Sequence, residues 1–263
     1  MRQHNHARLL VLLTVFVTGP VSAAEWGDLT AKFVLDGSIP AAKPIVVTKD
    51  QELCGKFNLT DERLVVNKAN NGIANVALYL YLARGDTKPP IHDSYKATEK
   101  GSVKIDNKNC RFDPRMLAVR TSQTLEVGNG DPVGHNTNIT TLNNPGQNVL
   151  VPSNGSLKIT LPADERLPSL VSCNIHPWMN AYLVIQSHPY MGISDADGKV
   201  TIKNLPAGKW TFQMWQEASG YIAAAKQNNK PMTWMRGRVE VTIKPGMNDL
   251  GEIKVPLASF KLN

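Results

Sequence analysis

The chain has 263 residues, of which 42% are hydrophobic, and a formal net charge of +7. That much apolar sequence can bury one large or two small cores, which excludes an intrinsically disordered chain. The lysine and arginine residues are scattered rather than clustered, so the sequence does not indicate a nucleic-acid-binding surface. We interpret the excess charge as a solvated basic surface, with docking to an acidic partner protein as the alternative.

The first 24 residues have the pattern of an export signal. Arg2 and Arg8 precede an apolar run from Leu9 to Val17, and the small residues at 21–24 offer a cleavage site before Glu25. The run is shorter than the roughly 20 residues that cross a bilayer, and no later segment is long enough. We therefore expect a cleaved signal peptide over 1–24, no membrane span, and a periplasmic or secreted mature protein.

Residues 25–90 have the pattern of an N-terminal β region. Leu29 to Leu35 alternates as a half-buried strand does, and Ile73 to Leu82 continues the β pattern. A polar loop follows and contains His92, which we interpret as an exposed loop histidine because nothing with metal-ligand spacing surrounds it. His188 is interpreted in the same way, with a position at the edge of the preceding domain as the alternative.

Residues 100–187 show turn signals at even intervals. These signals are Asp113-Pro114, Asn129 to Pro132, Asn144 to Gly146 and Asn154-Gly155. Short strands at this spacing are typical of a β-sandwich, and no long amphipathic helix is evident. The sequence therefore predicts an all-β fold class.

Four residues in this part have the chemistry of metal ligands. Cys173, His176 and Met179 lie within seven residues of one another, and His135 supplies a second imidazole from an earlier predicted strand. Two histidines, one thiolate and a weak axial thioether suit copper that cycles between two oxidation states. Each residue taken singly is more often structural, since lone cysteines and methionines commonly fill cores. Zinc, or a site that has lost its metal, remains an alternative.

The loop Cys-x-x-His-Pro-aromatic-Met resembles the ligand loop of the cupredoxins, the blue-copper family, and is most similar to the short loop of their amicyanin, plastocyanin-like branch. The resemblance covers about residues 100–187 and includes Asn136 directly after the first histidine. It implies a Greek-key β-sandwich with one type 1 copper ion. The implied ligands are His135, Cys173, His176 and Met179.

The resemblance also implies roles for residues around these ligands. Asn136 would fix the ligand loop by hydrogen bonds. His176 would reach the surface within an apolar patch where electrons leave, flanked by Pro177 and Trp178. Trp178 is equally well interpreted as an ordinary core aromatic.

The other two cysteines form an even pair if Cys173 binds the metal. In an oxidising compartment this predicts a disulfide between Cys54 and Cys110. Closing the loop between them stabilises the fold by roughly 4 kcal/mol on the chain-entropy model. Two unpaired buried thiols, which are more typical of the cytosol, are the alternative.

Residues 188–263 have the pattern of another β domain. The turn Asp195 to Gly198, followed by Leu205-Pro206 and Gly208, resembles the carboxypeptidase regulatory-like, transthyretin-like β-sandwich, which we expect as a second, smaller domain. The turn lacks the later ligands of an EF-hand, so we interpret it as a hairpin. The usual first strand of that module is missing here, but a similar one lies at Lys32 to Pro40. We therefore expect a discontinuous domain, completed by the N-terminal region, with the metal-binding part inserted.

These features favour a periplasmic blue-copper protein that carries out single-electron transfer, with another periplasmic redox protein as its partner. The alternative is an exported, non-redox binding or structural protein that recognises a partner protein or a surface polymer. An enzyme is not expected, because copper oxidases and nitrite reductases need a second copper site with more histidines. Beyond His135 and His176, the mature chain has only His92 and His188.

Overall fold

The computed structural model describes residues 25–262, so the predicted signal peptide lies outside the described residues. The described part is all-β, as predicted. The strands are β1 (Trp26–Asp36), β2 (Ala77–Leu80), β3 (Ser102–Lys108), β4 (Arg111–Asp113), β5 (Met116–Arg120), β6 (Thr124–Asn129), β7 (His135–Ile139), β8 (Gln147–Val151), β9 (Ser156–Thr160), β10 (Ser169–Ser172), β11 (Asn180–Gln186), β12 (Met191–Ile193), β13 (Lys199–Pro206), β14 (Gly208–Gln216), β15 (Gly220–Tyr221), β16 (Ala224–Gln227), β17 (Lys230–Thr233), β18 (Arg238–Ile243) and β19 (Gly246–Pro256). The helical segments are α1 (Gln51–Cys54) and short 3-10 helices at Gly55–Phe57, Asp93–Thr98, Met235–Gly237 and Leu257–Ser259.

Strands β3 to β11 form a sandwich, which we call the first sandwich. One sheet has the order β4-β3-β6-β9 and the other has the order β5-β11-β10-β7-β8. Alternate residues of each strand point inward, as in β6, where Leu125 and Val127 are fully buried. Both sheets contribute to one apolar core, so the strands that carry the predicted ligands are held by packing on a common interior.

The remaining strands form a second sandwich from both ends of the described chain. Its sheets have the orders β13-β1-β19-β16-β17 and β12-β2-β14-β15, with β18 also paired to β14. In β1, Leu29 lies opposite Ile202 of β13, and Phe33 lies opposite Ile253 of β19. Residues 26–36, 199–206 and 246–256 therefore share one sheet. Because the N-terminal strands join it, this sandwich has five strands in each sheet, against five and four in the first.

The two sandwiches pack against each other through a third apolar cluster. Its buried members are Ala77, Tyr79, Met116, Val184 and Trp215, which come from β2, β5, β11 and β14. Beside it, Arg115 Nε donates to Glu217 Oε2 at 2.7 Å, and both side chains are largely buried. The four sheets therefore stack as layers, with the ligand-bearing sheet of the first sandwich next to the second sandwich.

The N-terminal region is divided between the two sandwiches. Strands β1 and β2 belong to the second sandwich, whereas Cys54 and Leu59 are buried in the core of the first. The intervening segment, residues 43–60, crosses to the first sandwich and contributes α1. The structure also joins Cys54 to Cys110, which confirms the predicted disulfide.

The turn at residues 195–198 is not the hairpin that the sequence predicts, because the strands that it joins, β12 and β13, lie in different sheets. Its carboxylates are engaged by contacts within the protein. Asp195 Oδ1 accepts hydrogen bonds at 2.9 Å from the backbone N–H groups of Asp197 and Lys199. Asp197 Oδ1 accepts 2.8 Å hydrogen bonds from the side-chain amides of Asn67 and Asn70. These carboxylates thus satisfy N–H groups of neighbouring residues.

Across residues 25–262, no helix is long and apolar enough to cross a membrane.

Candidate metal centre

The structure brings three of the four predicted ligands together at one end of the first sandwich. His135 is the first residue of β7, and Cys173 directly follows β10, which pairs antiparallel with β7. The start of β7 therefore lies beside the end of β10. His176 comes from the loop between β10 and β11 and folds back towards the same point.

The ligand atoms of this cluster converge on a common centre. Cys173 Sγ lies 4.0 Å from His135 Nδ1 and 3.6 Å from His176 Nδ1. All three side chains are buried, and their ligand atoms lie within 4.8 Å of one another. Protein nitrogen and sulfur ligands of a small divalent ion bind at about 2.0–2.3 Å, so atoms that share one ion lie about 3.5–4 Å apart. The observed separations therefore fit one ion held between the three residues.

Each histidine presents its other ring nitrogen to a carboxylate. His135 Nε2 lies 3.0 Å from Asp131 Oδ2, and His176 Nε2 lies 2.8 Å from Asp50 Oδ2. A carboxylate at this position accepts a hydrogen bond from Nε2–H and so turns Nδ1 towards the place of a metal. Both rings therefore face Cys173 with the nitrogen that can bind.

Neither carboxylate was predicted from the sequence. Asp131 was detectable, because it lies four residues before His135 in a predicted turn. Asp50 lies 126 residues before His176, and no local pattern connects the two.

The electrostatics of the cluster favour a thiolate. Burial alone would raise the pKa of the Cys173 thiol, but hydrogen bonds from His135 and from backbone N–H groups of the ligand loop lower it below its usual value. Burial would likewise lower the pKa of His135, but its bonds to Asp131 and Cys173 raise that pKa to about 9. The thiolate is the form in which cysteine binds metals, and this site stabilises it before any metal enters.

His176 differs from His135 in its electrostatics. Burial lowers the pKa of His176 below its usual value, although the hydrogen bond to Asp50 opposes this shift. At neutral pH this imidazole is therefore uncharged, which is the form that binds a metal.

Hydrogen bonds hold the ligand loop in shape. Asn136 Oδ1 accepts from the backbone N–H groups of Asn174 at 2.6 Å and Ile175 at 3.2 Å. The loop also closes on itself, because Met179 N–H donates to the His176 carbonyl at 2.9 Å and the Met179 carbonyl accepts from Cys173 N–H at 3.2 Å. Asn136 is thus hydrogen-bonded to two residues of the ligand loop. Met179 is buried in the same apolar cluster as Cys173.

The expectation that His176 reaches the surface is wrong. Its side chain is 0% exposed, and the Asp50 carboxylate covers its outer nitrogen. Of its two neighbours, Pro177 is exposed and Trp178 is half-buried. The Trp178 ring packs edge-on against His176, with ring centres 5.3 Å apart, and its Nε1 donates to the Cys110 carbonyl at 3.2 Å. Trp178 therefore packs against the His176 ring, and this ring has no exposed edge at the surface.

The other two histidines of residues 25–262 lie outside the cluster. His92 is half-buried against Trp26, with ring centres 4.9 Å apart, and its Nδ1 accepts from Ser94 N–H. The interpretation of His188 as an exposed loop histidine is wrong, because it is 2% exposed and stacks on Tyr190. It is buried because the turn between β11 and β12 joins the two sandwiches.

Buried His188 makes the stability of the fold depend on pH. Burial lowers the pKa of His188 to about 4, against the opposing effect of the Asp164 carboxylate. The neutral ring accepts a hydrogen bond at Nδ1 from Tyr190 N–H, and protonation would break it. The unfolded chain takes up this proton near pH 6.5, whereas the folded chain takes it up only near pH 4. We expect the contribution of His188 to the free energy of unfolding to be complete above pH 6.5 and to fall by about 3 kcal/mol as the pH drops to 4.

The test is the free energy of unfolding measured between pH 7 and pH 4. His188→Gln cannot titrate and should show a flatter profile than the unmodified protein. His92→Gln serves as the matched control and should keep the original slope. Equal slopes for His188→Gln and the unmodified protein would contradict the prediction.

Comparison with known proteins gives similarities of fold over part of the chain. No protein-family model matches, and no curated protein matches. Among solved structures, a copper(I) form of an amicyanin variant is 15% identical with a TM-score of 0.30, and the match covers 32% of this chain and 82% of that one. A purple cupredoxin from Nitrosopumilus maritimus is 18% identical with a TM-score of 0.28, over 33% of this chain and 100% of that one.

A copper-containing nitrite reductase from Thermus scotoductus SA-01 is also similar. It is 15% identical with a TM-score of 0.29, over 40% of this chain and 25% of that one. Each of these matches leaves more than half of the chain uncovered. The assignment of a metal to the centre therefore rests on the geometry of its own residues.

Proposed function

We propose that the protein is a periplasmic blue-copper protein that transfers single electrons through one type 1 copper site. The observation that carries this proposal is the convergence of three buried ligand atoms, the Nδ1 atoms of His135 and His176 and the Sγ atom of Cys173. Two imidazoles and one thiolate are the equatorial set of such sites, and Met179 is the candidate for the weak axial ligand. Copper bound here would supply a one-electron redox couple.

The chain's own residues support this role in three ways. Asp131 and Asp50 fix the two imidazoles so that both Nδ1 atoms face the centre. Hydrogen bonds to Cys173 lower the pKa of its thiol and so favour the anionic, metal-binding form. The buried position excludes bulk water, and packed strands on either side resist rearrangement.

Rigidity is the property that electron transfer requires. A site that reorganises little between redox states exchanges electrons quickly, and close-packed sheets hold ligands in place better than loops do. Here His135 begins a strand, Cys173 directly follows one, and Asn136 fixes the loop that carries His176. The donor set and its support therefore favour redox cycling over storage or release of the metal.

We further propose electron transfer rather than catalysis, with another periplasmic redox protein as the partner. The two remaining histidines of the described chain are occupied by other contacts, His92 with Trp26 and His188 with Tyr190. Neither joins the His-Cys-His cluster, which is the one such cluster found within residues 25–262.

The test is a titration of the purified mature protein with copper(II). We expect an intense thiolate-to-copper absorption band that saturates at one equivalent, with a narrow copper hyperfine splitting in the electron paramagnetic resonance spectrum. Voltammetry should then show a reversible one-electron couple. A protein that stays colourless with copper(II) would overturn the proposal and favour the non-redox binding or structural protein instead.

A further inference from the structure

Residues 43–60, which we call the cover segment, form a closed loop over the metal centre. Its two ends are held together, because Ile45 N–H donates to the Leu59 carbonyl at 2.9 Å and Asp61 N–H donates to the Lys43 carbonyl at 2.8 Å. Between these ends, apolar side chains pack on the core of the first sandwich. They are Ile45, Val47, Leu53, Cys54, Phe57 and Leu59. The cover segment is therefore a packed part of the fold.

Asp50 lies next to α1 and faces His176. Its carbonyl accepts from the N–H groups of Leu53 at 3.0 Å and Cys54 at 2.8 Å, which starts the helix. An aspartate in this position ordinarily caps the helix with its carboxylate. Here the carboxylate makes no capping bond and instead lies 2.8 Å from His176 Nε2. The Asp50 carboxylate therefore contacts a residue of the metal centre and does not cap its own helix.

The disulfide connects Asp50 to the rest of the site. Cys54, the last residue of α1, is bonded to Cys110. Cys110 N–H donates to Asp131 Oδ2 at 2.8 Å, and this same oxygen contacts His135. The disulfide thus links the segment that carries Asp50 to Cys110, and the Cys110 backbone in turn binds Asp131.

We infer that Asp50 is a positioning residue of the metal centre, which holds His176 with its proton on Nε2 and its Nδ1 lone pair towards Cys173. This inference rests on the proposed function for the identity of the metal, but the contact between the Asp50 carboxylate and His176 Nε2 is present without it. The carboxylate takes the place that solvent would occupy at the outer nitrogen. Asp50 therefore orients the ligand and also separates it from water.

The backbone at Asp50 permits a clean test. Its φ of 46° and ψ of 46° lie in the left-handed region, which glycine adopts freely and asparagine tolerates. Asp50→Gly thus removes the carboxylate without backbone strain. Asp50→Asn keeps an oxygen that can accept the hydrogen bond but removes the charge, and Glu52→Gln removes an exposed charge from the same helix as a matched control.

The first measurement uses the metal-free protein. The nitrogen-15 shifts of the His176 ring at slightly alkaline pH report which nitrogen carries the proton. We expect the Nε2–H tautomer in the unmodified protein, in Asp50→Asn and in Glu52→Gln, and a mixture of tautomers with fast solvent exchange in Asp50→Gly. An Asp50→Gly spectrum identical to that of the unmodified protein would overturn the inference.

The second measurement is copper(II) affinity in competition with a chelator. Loss of a group that orients a ligand typically weakens metal binding about 10- to 100-fold, which is the loss expected for Asp50→Gly. Asp50→Asn should recover most of this affinity, and Glu52→Gln should bind as the unmodified protein does. If the unmodified protein binds no copper, the proposed function fails, and the tautomer measurement still decides the role of Asp50.

Discussion

Replacing Cys173 with alanine is expected to abolish the thiolate-to-copper absorption band completely. Cys173 is the free cysteine of the chain, because Cys54 and Cys110 are joined to each other. No other thiolate can therefore replace it at the centre. The two imidazoles of His135 and His176 remain in place, so the variant should still bind copper(II), with a wide hyperfine splitting instead of a narrow one.

The measurement compares absorption and electron paramagnetic resonance spectra of Cys173→Ala and the unmodified protein at equal copper loading. His92→Ala is the matched control, since it removes an imidazole that packs on Trp26 outside the cluster. This control should keep the full band. A band that survives in Cys173→Ala would mean that the colour does not come from this site. Unfolding curves of the metal-free variants would show that the fold is retained.

Removing the disulfide is expected to lower the free energy of unfolding by about 4 kcal/mol. Cys54 and Cys110 are separated by 56 residues, and joining them restricts the unfolded chain strongly. The double substitution of both cysteines by alanine leaves no free thiol at this position. Equilibrium denaturation of the double variant and the unmodified protein measures the difference directly. Equal unfolding midpoints would contradict the prediction.

Loss of this disulfide should also weaken the metal centre. The bond attaches α1 to Cys110, so without it the Asp50 carboxylate is held by the packing of the cover segment alone. We expect copper(II) affinity to fall in the double variant in the same direction as in Asp50→Gly. A copper(II) affinity of the double variant equal to that of the unmodified protein would contradict this prediction.

Local sequence patterns were sufficient to predict the fold class and the positions of the candidate ligands along the chain, because both depend on short spacings. Alternation of apolar residues predicts strands such as β1, and turn residues mark their ends. The ligand loop can be recognised in the sequence because residues of three metal-binding types occur within one stretch of seven residues. The pairing of Cys54 with Cys110 followed from counting cysteines once Cys173 had been assigned to the metal.

Contacts between distant residues could not be predicted in the same way. The alternation in β1 indicates a strand but does not name its neighbours, and only the folded chain sets it between β13 and β19. The burial of His176 was missed for the same reason. A residue's exposure depends on what packs over it, and the cover segment lies far away in the sequence.

The sequence by itself determined that this chain is all-β, that it carries one set of residues of the types that bind copper, and that two of its cysteines can pair. These properties reside in residue type and short spacing. The tertiary structure alone decided which nitrogen of each histidine faces the thiolate, and that Asp131 and Asp50 hold the opposite nitrogens. It also decided that His176 is covered rather than exposed. Orientation and burial arise from packing between segments that are distant in the chain, and such packing leaves no periodic signal in the sequence.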